Sequence, residues 1–481
     1  MPEADQWRHL DNVDHNDTVG INRAVALNVQ HVVLTIPHFS ASPRFIAISR
    51  LLPQVLLVAW VVTLPLEFTK IYFPNQALEV SRIVLVLCLV AFAVQVVVER
   101  REVRVPVSAG TIGLALFTVY AAVSAAVVGS VLGVRTAGAM VAYLLMMITV
   151  FNLVQTQAEH RRIWSALAAS AIVLAVVGLF LSLTNSYIWN PPNAGPFRLN
   201  ATFHDPNIFA RFLAFAMLSL VLLAADLDVT VRQRALWLAG ALAAAAIFPF
   251  TLSRASWGFT LVVALVVIGV ARRRNRAIAL VGLIVAIFAS IAVIDPSVLS
   301  RAALLAQNLE SPFRNRAFLD RAPWLQFLAV LPLDSVRQYL IGSGLIMFAD
   351  HPVFGIGFGT FSQSLLSTYA GLVPPGVDDT ASHTSLITVL AETGLLGLAI
   401  VIVTGYSFVR STIRATIQSP AVRALVLAPA IALLLIVLTS QYSGRLFEEP
   451  YLWLFLGLAF SAQAGPQETA GQLRPEETAT A

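Results

Sequence analysis

Charge is scarce in this 481-residue chain: only 12% of its residues are Asp, Glu, Lys or Arg, about half the roughly 25% of a soluble domain. Cysteine occurs once, as Cys88 inside an apolar run, which excludes a disulfide framework and a cysteine-based metal site. Lysine is also nearly missing. Lys70 is the only one, and arginine carries the rest of the positive charge. The net charge of +5 is divided among many short segments, so no nucleic-acid partner is expected. Residues 1–20 are polar and acidic and are not read as a signal peptide.

Apolar residues fill the space that charge leaves. The chain is 58% hydrophobic with a mean hydropathy of +0.78. A helix needs about 20 mostly apolar residues to cross the hydrocarbon of a bilayer. Stretches of that kind run over 45–64, 80–98, 109–128, 132–154, 163–183, 206–225, 235–250, 256–271, 277–294, 384–408, 422–440 and 446–461. The prediction is an all-α integral membrane protein with about twelve transmembrane helices, its solvent the lipid bilayer. The stretches over 235–250 and 256–271 are short, and a tilt or a shared re-entrant turn is expected there. The chain divides into a cytoplasmic N-terminal segment (1–43), helices one to nine (44–294), a large extracytoplasmic loop (295–382), helices ten to twelve (383–461) and a disordered cytoplasmic tail (462–481). Residues 21–39 read as a helix lying on the membrane surface.

Arginine sets the orientation. With the N-terminus inside, the inner loops carry Arg100, Arg101 and Arg104, then Arg161 and Arg162, then Arg232 and Arg234, then Arg272, Arg273, Arg274 and Arg276, and finally Arg410, Arg414 and Arg423. The short outer loops hold mainly Lys70, Arg135, Arg198, Arg254 and Arg445. This asymmetry follows the positive-inside rule, and an error of one span would invert it. The long loop over 295–382 is too long for a turn and is expected to be functional. It has its own helical stretches near 318–330 and 335–349. Its arginines (Arg301, Arg314, Arg316, Arg321 and Arg337) do not weigh on orientation, because long loops translocate largely regardless of charge.

Four patches converge on the outer face under this topology. One is Arg198-Leu-Asn-Ala-Thr-Phe-His-Asp-Pro-Asn207. Another is Thr251-Leu-Ser-Arg254, in the turn between the two short spans. A third joins Arg337 to His351-Pro-Val-Phe-Gly-Ile-Gly-Phe-Gly359. The fourth is Ser382-His383-Thr384-Ser385, running into Ala391-Glu-Thr-Gly-Leu-Leu-Gly397. Each residue also has a plain structural reading. Arg254 could snorkel to the headgroups, and Arg198 could brace an Asn-Pro-rich loop. Arg337 has Asp334 and Asp350 as candidate ion-pair partners. Arg211 lies within a span, where a charge is costly and often functional, but close enough to the outer end to snorkel. Asp205 suits the start of a helix better than base chemistry. Glu392 could orient a neighbour or bond between helices. His204 and His351 suit loop packing. The glycines at 355, 357 and 359 follow no predicted strand, so nucleotide binding is not expected.

In order and placement, the four patches resemble the O-antigen ligase-like superfamily of ligases, polymerases and related protein glycosylases. The resemblance covers about 195–405. The family often has Gly where Ala201 stands and Asn where Thr384 follows the histidine. The resemblance implies a class C glycosyltransferase-like membrane fold. It also implies transfer of a glycan from a polyprenyl-diphosphate carrier to a hydroxyl on a glycan, lipid or protein, at the outer face of a bacterial cytoplasmic (inner) membrane. His383 would be the general base, a role suited to neutral imidazole. Arg198, Arg254 and Arg337 would hold the diphosphate through planar, permanently charged forks, with Arg211, Asp205, Glu392 and Arg321 as possible support. A Mg²⁺ site would call for clustered carboxylates, and Asp378-Asp379 is the only adjacent acidic pair in the large loop. Metal-independent, inverting transfer without a cofactor is therefore expected. The rival classes are a lipid-linked sugar flippase and a protein O-oligosaccharyltransferase. A flippase would carry its polar residues at mid-membrane. An intramembrane serine protease is disfavoured, since Ser382 and His383 adjoin and no Gly-x-Ser-x-Gly elbow occurs.

The topology is testable in a Cys88→Ala background. Glu310→Cys should react with an impermeant thiol reagent in intact cells, and Asn275→Cys only after the membrane is opened. The reverse pattern would overturn the orientation.

Overall fold

The computed structural model describes residues 42–67, 70–73, 76–189, 197–300, 322–330, 335–373, 382–420, 422–444 and 446–465. The expected surface helix over 21–39, Arg321, Asp378-Asp379 and the tail after residue 465 lie outside them. Each of the twelve apolar stretches falls on a helix. These are α1 (Pro43–Thr63), α2 (Val80–Glu99), α3 (Ala109–Val127), α4 (Val131–Leu153), α5 (Gln157–Leu183), α6 (Pro206–Asp226), α7 (Val231–Ile247), α8 (Arg254–Val270) and α9 (Arg274–Ile294), followed after the large loop by α12 (Ser385–Gln418), α13 (Arg423–Ser443) and α14 (Pro450–Ala464). Within the large loop lie a 3₁₀ helix over Pro323–Val330, α10 (Ser335–Asp350) and α11 (Phe361–Leu366).

The chain is an all-α integral membrane protein, and among the described residues ten helices are long and apolar enough to cross a bilayer. Two further helices on the expected stretches are shorter. Helices α8 and α14 have 17 and 15 residues. The first is short because the chain spends Phe248–Thr251 in a 3₁₀ turn and reverses at Leu252 (φ +50°) before it begins. The second is buried over Tyr451–Ala462, so protein, not lipid thickness, surrounds it. The sequence reading also missed a small antiparallel hairpin, β1 (Lys70–Phe73) and β2 (Gln76–Glu79), with Lys70 opposite Glu79. Its signal was the Pro74-Asn75 pair between two short apolar runs.

Helix α6 is the axis of the bundle. It is apolar on every side and buried along its length, as a helix without a polar face must be. Its neighbours include α13, α7, α8 and α9. Small residues let backbones approach, as expected within a membrane: a Cβ on Gly240 of α7 would lie 2.9 Å from Ala168 of α5. The outward faces are aliphatic, with Val86, Leu116, Val176, Leu265 and Ile402 all exposed. At one end of the bundle, Asp226 accepts from the backbone N–H of Arg272 (2.7 Å) and Arg273 (2.9 Å). Asp228 pairs with the Arg273 guanidinium at 2.6 Å, which holds its carboxyl below the usual range. Arg161 donates to the Asp228 carbonyl and Arg423 to that of Val270. Four of the arginine-rich segments expected inside therefore meet at one end.

Arg211 does not snorkel. It is fully buried on α6 and forms an ion pair with Glu449 at 2.9 Å. It also donates to Thr439 Oγ1 (3.1 Å), to Ser443 and to the Gly444 carbonyl (3.0 Å), bolting α6 to the C-terminal end of α13. Removing one partner leaves an uncompensated buried charge, which costs about 3–5 kcal/mol. Arg211→Leu should therefore lower the melting temperature measured by size exclusion in detergent, and Glu449→Gln should do so less. Unchanged melting in both would refute the bolt.

Candidate functional site

The end of the bundle opposite the arginine-rich segments is organised by a break in α12. Gly394 has φ +62° and ψ −162° in the middle of this helix, so the helical ladder stops there and restarts. Lipid offers no partners for the freed backbone groups; the segment from His351 to Phe361 supplies them. The N–H groups of Leu395 and Leu396 donate to the carbonyls of Pro352 (2.9 Å) and Val353 (3.2 Å). The carbonyls of Ala391 and Glu392 accept from the N–H groups of Ile356 and Gly357. That of Thr393 accepts from the hydroxyl of Tyr120 on α3, which also reaches the Phe354 carbonyl. The Glu392 carboxylate accepts from the N–H of Gly359 and of Phe361, both at 2.9 Å. Glu392 is thus an anchor for the loop. A Cβ at position 394 would fall 2.4 Å from the Val353 carbonyl oxygen, so only glycine fits. Ser124 and Ser130 hold the same loop, through the Phe358 N–H and the Gly359 carbonyl.

A second assembly joins the two segments that carry Arg198 and Arg254. The Leu199 N–H donates to the Phe250 carbonyl at 2.9 Å. Arg198 Nε donates to the Thr251 carbonyl (3.2 Å) and its Nη2 to Asn207 Oδ1 (2.9 Å). The Ser253 hydroxyl donates to the same Asn207 oxygen at 2.9 Å. Asp205 caps α6, accepting from Asn207 N–H (2.6 Å) and Ile208 N–H, which is the structural role favoured for it. Arg254 opens α8 with its Nη1 shielded from solvent and without an acceptor in the protein. His204 packs near Trp189, and its N–H donates to Glu67. Ala201 is left-handed at φ +46°, which explains a family preference for glycine at that place.

The remaining predicted residues adjoin the end of α13. Arg337 of α10 lies over the ring of Tyr442, 4.9 Å from Cζ to the centroid. Tyr442 in turn meets Phe259 of α8 edge-on at 5.8 Å. Asp350 is not the partner of Arg337. It is roughly 20 Å away along the same helix and accepts from Tyr369 at 3.0 Å. His383 is half-buried just before α12, and its carbonyl accepts from the Gly444 N–H at 2.9 Å. Thr384 and Ser385 donate to the carbonyls of Gln441 (3.3 Å) and Ser440 (3.0 Å), so the histidine segment is strapped to α13. The sequence reading missed this strap and Tyr442. Their signal was the polar run Ser440-Gln-Tyr-Ser-Gly444 closing an apolar span. Among the described residues no group of three or more His, Cys, Asp or Glu is placed to hold a metal ion.

Residues 239–402 match the O-antigen ligase family. The match covers about a third of the chain, which in that part is similar to the O-antigen ligase family. The matched stretch contains Arg254, Arg337, His383, Glu392 and the broken part of α12, whereas Arg198, Asp205 and Arg211 precede it. A search of the curated proteins finds no match. The family supports glycan transfer of the O-antigen ligase or polymerase kind as the general chemistry.

Two substitutions test the backbone account with opposite signs. Gly394→Ala should destabilise the protein and open 351–361 to protease. Ala201→Gly should relieve a left-handed alanine and raise stability by about 1 kcal/mol. Thermal unfolding in detergent measures both, and shifts of the same sign would contradict the account.

Proposed function

We propose that the protein transfers a glycan from a polyprenyl-diphosphate carrier to a hydroxyl acceptor, at the outer face of a bacterial cytoplasmic membrane. The observation that carries this reading is the buried, unpartnered Nη1 of Arg254, one residue from a serine that shares its acceptor with Arg198. A guanidinium nitrogen shielded from water and without a protein acceptor favours an anionic ligand. A lipid diphosphate arriving at the membrane surface has that charge. Arg337, over Tyr442 beside the outer part of α8, adds a third cation for the charge that develops on the leaving group.

His383 is the general base in this scheme. The acceptor hydroxyl attacks the anomeric carbon, His383 takes the proton, and the bond to the diphosphate oxygen breaks with its electron pair on the leaving group. Direct attack inverts the anomeric centre. The straps from Thr384, Ser385 and Gly444 fix the backbone of the histidine, as a base that must meet one hydroxyl requires. Arginine supplies the positive charge, so the reaction is metal-independent. The acceptor class stays open among ligase, polymerase and protein O-oligosaccharyltransferase.

His383→Ala should lose about 10²–10⁴-fold in transfer rate and keep its affinity for donor. His383→Gln should be as slow, because an amide cannot act as the base. Arg254→Lys should bind donor more weakly, since a point charge does not reproduce the fork. Transfer should persist in EDTA. A folded His383→Ala protein working at the wild-type rate would remove the base assignment, and a chelator-sensitive reaction restored by Mg²⁺ would remove the arginine clamp.

A further inference from the structure

Beside the histidine segment the outer end holds an open cavity of about 190 Å³, room for one sugar residue. It lies between the start of α4, the loop anchored by Glu392, the start of α12 and the segment after α13. Its polar lining includes the hydroxyls of Ser362, Ser382 and Thr388 and the carboxylates of Glu392 and Glu448, and Phe358 and Phe447 add apolar surface. Among the described residues the lining contains no basic side chain.

We propose that this cavity is the subsite for the acceptor, binding a neutral saccharide that presents its hydroxyl to His383. The inference rests on the glycan-transfer reading above. Hydroxyls and carboxylates together supply donors and acceptors for a polyol. Apolar rings beside those groups suit the C–H faces of a sugar. Position agrees with this chemistry. Ser382 precedes His383 in the chain, and Gly444, which lines the cavity, donates its N–H to the His383 carbonyl. Two residues earlier, Tyr442 meets Arg337 and Phe259 instead. The end of α13 therefore divides the arginine side from the cavity side, with the histidine segment strapped to that divide. Attack with inversion needs this arrangement, because the nucleophile and the leaving diphosphate lie on opposite faces of the anomeric carbon.

The test uses the full chain in lipid nanodiscs, since many detergents carry sugars. Saturation-transfer NMR is recorded with methyl glycosides of glucose, galactose, mannose and N-acetylglucosamine. At least one should receive saturation from the wild-type protein. Ser362→Trp, which fills the cavity, should abolish that signal. Glu448 is exposed, so Glu448→Gln tests the site without threatening the fold. It should weaken glycoside binding by about 10-fold, the loss of roughly one good hydrogen bond. In transfer assays it should raise the acceptor KM and leave the donor KM unchanged. Silence from all four glycosides, or binding unchanged in both variants, overturns the subsite. Sensitive glycoside binding without transfer from any lipid-diphosphate donor would instead sink the glycan-transfer reading and leave the sugar site standing.

Discussion

Interrupting a helix inside a bilayer frees N–H and C=O groups that hydrocarbon cannot satisfy, and the half of this protein that holds His383 is arranged around one such interruption. At Gly394 the loop over 351–361 takes the place of the missing helical turn, bond for bond, and Glu392 secures it from the side. A loop tied in this way cannot drift over the surface. Its neighbours inherit that order: α3 and α4 bind it through Tyr120, Ser124 and Ser130, and α12 reaches the surface beside α13 with His383 at its mouth. Helix propensity alone would favour an unbroken α12. The break persists because each of these freed groups has found a partner.

Arginine has several tasks in this bundle. At the arginine-rich end, guanidinium groups are tied to Asp228 and to backbone carbonyls, an arrangement that stabilises loops. Within the membrane, Arg211 is neutralised by Glu449 and three further acceptors. Buried pairs of this kind contribute little net stability, because desolvation offsets their attraction. This one instead specifies which helices meet. Arg254 at the opposite end keeps a shielded Nη1 without an acceptor, as Arg161, Arg234 and Arg423 each keep a shielded Nε. A buried donor left unsatisfied costs about 1–3 kcal/mol, a cost that binding an anion would remove.

The motif residues acquire distinct physical tasks. The glutamate and first glycine of Glu392-x-Gly-x-x-Gly397 build the loop joint. Asn207 is a junction, sharing one oxygen between Arg198 and Ser253. Thr384, where the family often has asparagine, still donates to the end of α13, so the departure preserves a strap on the histidine segment. The chemistry proposed above then falls to a few groups: three arginines, one histidine and a polar cavity.

Hydropathy determined that the chain lives in a membrane and where its helices lie, because a bilayer of fixed thickness demands long apolar runs. The spacing of arginines predicted an orientation, and four motifs picked out one end of the bundle before any contact was known. Other features were beyond one-dimensional reading. The shortness of α14 reflects burial by protein, which hydropathy cannot distinguish from burial by lipid. Whether Arg211 snorkelled or paired depended on Glu449, 238 positions away. What Glu392 bonds depended on two N–H groups brought to it by a loop 31 to 33 residues earlier. The cavity has no sequence signature at all, since its walls come from four separate segments. Local pattern records what each segment needs from its solvent; only the packed chain decides which polar groups meet and which remain for a ligand.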